Sequence, residues 1–83
     1  MWVKAKDIIV KSNGLFIDKC KKIEYEDGFI SISEKEEYII TTLINSETKN
    51  LVIFNNIESA RKVMKDFEQA IKNNENFFEI KEK

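Results

Sequence analysis

Residues 55–72, NNIESARKVMKDFEQAIK, read as one capped, one-faced helix that follows a series of short β-like segments. Ile57, Ala60, Met64, Phe67 and Ile71 recur at spacings of three and four, with Val63 and Ala70 beside them. Such spacing gathers apolar side chains into one stripe of a helix. Asn55 is placed to cap the first turn, with Glu58 three residues later, a capping box with Asn in place of Ser or Thr. The other face carries Glu58, Arg61, Lys62, Lys65, Glu68, Gln69 and Lys72. Glu58–Lys62 and Glu68–Lys72 there are i,i+4 pairs in the favourable order. Asn73 and Asn74 suit the stop.

Two glycines punctuate the strand-like part. Asp27–Gly28 lies between alternating runs, and a type I′ turn needs positive φ at both central residues. That turn sets Glu26 opposite Phe29, Tyr25 opposite Ile30, Glu24 opposite Ser31 and Ile23 opposite Ile32. Opposed residues share a face. One face is therefore Ile23, Tyr25, Ile30 and Ile32, and the other is Glu24, Glu26, Phe29 and Ser31. Asn13–Gly14 predicts a second hairpin with Val10 opposite Ile17 and Ser12 opposite Leu15. Its apolar face is Ile8, Val10, Leu15 and Ile17. Its other face is Asp7, Ile9, Lys11, Phe16 and Asp18.

Residues 33–37, SEKEE, read as a charged connection, 38–44 as a strand rich in β-branched residues, 45–50 as a polar turn and 51–54 as a short strand. Residues 2–5 alternate and form a strand of their own or run on into 7–11. Residues 77–80, FFEI, are an extra strand or a tail beside the helix. The helix stripe also fits a heptad seam. The hairpins, however, present apolar faces that nothing else in 83 residues would cover. The helix is expected to close over its own core.

Composition bounds the rest. Hydrophobic residues at 42% and charged residues at 35% suit a single folded domain spanning 1–83. A net charge of −1 gives no global case for nucleic acid or for an anionic membrane. Cys20 is the only cysteine and histidine is absent, which removes intrachain disulfides and Cys/His metal clusters from the expectations. No apolar run approaches the roughly 20 residues that span a bilayer. The N-terminus lacks the apolar centre of a signal peptide. A cytoplasmic protein without a cofactor is the expectation.

The start, Met1-Trp2-Val3-Lys4 with Asp7, and the end, a strand followed by Glu58, Ala60, Val63 and Met64, carry a resemblance. Together they resemble small uncharacterised proteins of low-GC Gram-positive bacteria and their phages. Those begin Met-Trp-Ile/Val-Arg/Lys and finish with an acidic capped turn and a helix. The resemblance implies an α+β domain with a C-terminal helix and carries no activity.

Catalysis lacks its usual residues. Without histidine the common general base is missing. Ser12, Ser31, Ser33, Ser46 and Ser59 sit in no recognisable nucleophile elbow. Cys20 stands among Lys19, Lys21 and Lys22, and nearby positive charge lowers a thiol pKa; a small strand residue among solvated lysines accounts for it as well. Glu24 with Glu26, or Glu36 with Glu37, offer paired carboxylates that read as solvated surface groups. Neither a phosphate loop nor a calcium loop fits the glycine and aspartate spacing.

Binding leaves more. Lys19, Lys21 and Lys22 form a local basic cluster, offset by Asp18, Glu24 and Glu26. Phe29 falls on the polar face of its hairpin, and Phe16 is expected to share an outer face with Ile9. An open sheet would leave these as a patch for a partner or a second subunit. Trp2 is either a contact anchor or part of a strand tied into the core.

The expected architecture is α+β: a curved antiparallel sheet of five to seven strands closed by one C-terminal helix. A pleckstrin-homology-like split barrel and a helix on an open meander are the two topologies. The expected function is that of a non-enzymatic interaction protein, phage- or mobile-element-encoded, that binds another protein or itself. The alternative is a protein that sequesters a small anionic ligand such as a nucleotide through Lys19, Lys21 and Lys22.

Overall fold

The computed structural model describes residues 1–81, without the side chains of residues 23–26, 33 and 34. Six strands and one helix follow in the order β1 (Trp2–Ala5), β2 (Ile8–Lys11), β3 (Phe16–Glu26), β4 (Phe29–Ile44), β5 (Glu47–Phe54), α1 (Ile57–Lys72) and β6 (Phe77–Ile80) among the described residues. The class is α+β, and the strands divide into two three-stranded sheets, β2-β1-β6 and β3-β4-β5. The sheets do not close into a barrel. All pairings are antiparallel except β1 with β6, which runs parallel. The FFEI segment is thus a strand, laid beside the first one.

The Asp27–Gly28 hairpin forms in the expected register, from Glu26↔Phe29 to Ile23↔Ile32. Asp27 at φ 52 and Gly28 at φ 81 supply the positive angles that the turn demands. The Asn13–Gly14 hairpin does not form. β2 pairs with β1 instead, from Trp2↔Lys11 to Ala5↔Ile8, around a turn in which Lys6 takes φ 54. Residues 12–15 carry the chain from one sheet to the other. Ser12 Oγ accepts from the Gly14 N–H at 3.2 Å and lies 2.8 Å from the Gly14 carbonyl, so the segment closes on itself rather than on a partner strand. The expected faces nevertheless survive. Leu15 is buried, Val10 and Ile17 pack on the core, and Ile9 and Phe16 face out.

The charged run 33–37 belongs to one long strand, β4. Lys21 pairs with Glu36 and Ile23 with Ile32, so residues 33–35 of β4 stand against Lys22 alone. The run marks a bulge, where extra residues bend a strand without ending it. A second bulge lies in β5. Ile40 pairs with Val52 but Thr41 with Asn50, which leaves Leu51 as the extra residue. Strand alternation forbids two adjacent residues on one face; the bulge suspends that rule, and Leu51 and Val52 are both buried. The expected six-residue turn shrinks to Asn45 and Ser46, both at positive φ.

α1 starts one residue later than expected. Asn56 is the cap, accepting from the Ser59 N–H at 2.8 Å through Oδ1. At the other end Asn74 takes φ 56, with Asn74 N–H donating to Ile71 O and Glu75 N–H to Ala70 O. These two bonds make a Schellman stop with Asn in the left-handed position. Ala60, Val63, Phe67 and Ala70 are the buried stripe, while Ile71 at its end is half exposed. Lys62 pairs with Asp66 at 3.6 Å. The helix covers a core drawn from both sheets: Val3 and Ala5 of β1, Ile40 of β4, Leu51 and Val52 of β5, and Ile80 of β6. Phe67 meets Phe78 edge to face with ring centroids 5.3 Å apart. No helix among the described residues is long and apolar enough to cross a membrane.

Candidate interaction surface: the arm and the cleft beside the helix

β4 loses its second neighbour at Tyr38. Its pairing with β5 ends at Tyr38↔Phe54, while its pairing with β3 continues to the Asp27–Gly28 turn. Residues 20–37 therefore form a two-stranded arm that runs beyond the rest of the molecule. The chain spans 49 Å along its longest axis against 27 and 20 Å across it.

Register fixes which residues share the arm's faces. Ile17↔Ile40 lies on the core side, and the same side continues through Lys19↔Tyr38, Lys21↔Glu36, Ile23↔Ile32 and Tyr25↔Ile30. In the body of the protein α1 covers this side. Along the arm nothing does: Ile30 is 72% and Ile32 71% exposed. Phe29, on the opposite face at the tip, is 77% exposed. The expected apolar face of this hairpin thus exists as a surface and not as part of the core. The side chains of Ile23, Tyr25, Glu24, Glu26 and Ser33, which entered those expectations, lie outside the described residues.

Between the apolar tip and the helix lies a polar band. Lys19 Nζ is 3.0 Å and Lys21 Nζ 3.9 Å from the Glu36 carboxylate. Tyr38 OH donates to Glu36 Oε2 at 3.3 Å. The hydrogen bond from Lys19 holds the Glu36 carboxyl below the usual carboxylate range, and Glu36 in turn raises Lys19. The cleft behind the band has a volume of about 540 Å³ and is lined by Lys22, Tyr38, Ile57 and Glu58 among others.

The candidate residues are only partly brought together. Lys19 and Lys21 share a face with Glu36 seated between them, Lys22 lines the cleft, and Phe29 is at the far end of the arm. Glu36 was missed as a partner for the lysines because 33–37 reads locally as a connection. Read as a strand, its alternation puts Glu36 and Tyr38 on one face, opposite Lys21 and Lys19. Glu36 and Glu37, being adjacent in a strand, lie on opposite faces and do not act as a pair. Cys20 is exposed on β3, opposite Glu37.

Ser12 is 1% and Thr42 0% exposed, and their hydroxyl oxygens are 2.6 Å apart. This buried pair ties the crossover to β4 and leaves Ser12 no access to a substrate.

Further apolar residues stand on the outer faces. Trp2 and Phe77 are register partners, each half exposed, with Lys4 and Glu79 beside them 3.7 Å apart. Trp2 thus faces outward although its strand is central. Phe16, Leu43 and Ile53 stand on the outer face of the other sheet. Ile9 and Phe16 therefore sit in different sheets and not on one shared face.

Comparison with protein-family models, with curated proteins and with solved structures gives no significant match for this chain.

Proposed function

We propose that this chain is a non-enzymatic interaction protein of the cytoplasm that acts through protein–protein contact, with the β3–β4 arm as its contact surface. One observation carries the reading: Phe29, Ile30 and Ile32 are each more than 70% exposed on a ribbon that no second layer covers. A two-stranded hairpin is marginal in water by itself and gains independent stability by packing against something. Apolar groups rimmed by polar ones mark contact sites, and the Lys19–Glu36–Lys21 band provides such a rim. The anion-sequestering alternative draws less support, because Glu36 already offsets the charge of Lys19 and Lys21.

A photo-crosslinking side chain tests this directly. Placed at Phe29 it is expected to give protein adducts in cells, and placed at Glu68 on the polar helix face it is expected to give none. Adding Ile30→Thr and Ile32→Thr should remove the adducts. Equal labelling from both sites, or no adduct from the arm, overturns the reading.

A further inference from the structure

The surplus surface of the molecule points to its partner. The accessible area is 6468 Å², about 1,300 Å² more than the roughly 5,200 Å² that scaling gives for a compact monomer of 9.8 kDa. The radius of gyration is 14.4 Å, against about 12 Å for a compact chain of this length. A standard interface takes about 800 Å² from each partner. The arm thus carries enough extra surface for one complete interface.

What fits that surface is set by its layering. The body has two layers, sheet and helix, and stable domains need at least two. At the helix N-terminus the second layer stops while β3 and β4 continue. The missing piece is a ribbon with the same length and an apolar face. A second copy of the arm supplies it when the copies are related by a two-fold axis perpendicular to the arms, with the core-side faces together. Each Ile30–Ile32 row then lies over the other copy's arm, and each tip ends at the other's cleft beside Ile57 and Tyr38. Closed two-fold contacts of this kind use one patch on both subunits. A net charge of −1 per chain leaves little repulsion between copies. We infer that the partner of the arm is a second copy of this chain, and that the protein is an antiparallel dimer built arm on arm; this rests on the proposed role of the arm as a contact surface.

Light scattering on the full chain is expected to give twice the monomer mass of 9.8 kDa. Ile30→Thr/Ile32→Thr, which keeps β-branched residues in the strand, should halve that mass and leave the circular dichroism unchanged. Leu43→Thr on the outer face should leave the dimer intact. A nitroxide on Cys20 should report one inter-copy distance in the wild type and none in the arm variant. A wild type of monomer mass overturns the dimer. If its arm still crosslinks to another protein, the contact role stands and only the identity of the partner is wrong. If the arm yields no adduct, both fail. A dimer broken by Leu43→Thr and not by the arm variant moves the interface elsewhere and also overturns the inference.

Discussion

Ser12 and Thr42 offer the sharpest test of how the two sheets are joined. Three contacts link Ser12 Oγ, Thr42 Oγ1 and the Gly14 carbonyl, at 2.6, 2.8 and 2.9 Å. Two hydroxyl protons serve them, so one hydroxyl donates to the other and the second donates to Gly14 O. Gly14 N–H donates to Ser12 Oγ as well. Thr42→Val keeps the shape and removes one hydrogen bond. Ser12 can still donate to Gly14 O and accept from its N–H, so the cost is that of one net bond, about 1 kcal/mol. Ser12→Ala removes two bonds and takes the acceptor from Gly14 N–H. An orphaned donor adds its desolvation penalty, for a total of about 2–4 kcal/mol. The double variant also strips Gly14 O of both donors, so it should cost more than the sum of the single ones, as expected for groups in one network. Urea unfolding measures all three. With m about 1 kcal/mol per M for a small chain, the midpoint should fall by about 1 M for Thr42→Val and by at least twice that for Ser12→Ala. Equal losses from the two single variants would refute the assignment of Ser12 as the hub. So would a double variant no worse than Ser12→Ala.

Two further outcomes separate this structure from its neighbours in sequence space. Asn56→Ala should lower stability by about 1 kcal/mol through loss of the cap, while Asn55→Ala should change little; the reverse order would place the cap one residue earlier. Lys19→Met should raise the Glu36 pKa, read by NMR titration of its carboxyl. A depressed folded-state carboxyl stabilises above its unfolded pKa, and that contribution disappears as pH falls through the folded value. The acid limb of the stability profile should therefore be steeper in the wild type than in Lys19→Met, and identical Glu36 titration in both would show that the ion pair has no effect.

Much of the local structure is legible in the chain. Asp27–Gly28 fixes a turn, and the turn fixes register, because positive φ at two consecutive positions admits few other readings. The helix is legible from its apolar spacing, although two adjacent asparagines leave the cap ambiguous by one residue. Strand faces are legible even where pairing is not: Val10, Leu15 and Ile17 face the core as their alternation requires. The candidate surface was legible only in part. Phe29 and the lysines could be singled out, but Glu36 and the exposure of Ile30 and Ile32 could not.

Alternation and turn chemistry are short-range, so the sequence by itself determined which segments are strands, which side of each is apolar, and where the helix lies. Partnership is long-range and only the tertiary structure decided it. Asn13–Gly14 invites a reversal, but β1 takes β2 through Lys6, and the buried Ser12–Thr42 pair sends the chain on to the other sheet. The hairpin of residues 20–37 has the apolar face of a core element. It became a surface because α1, 16 residues long, covers the body and ends before the arm does.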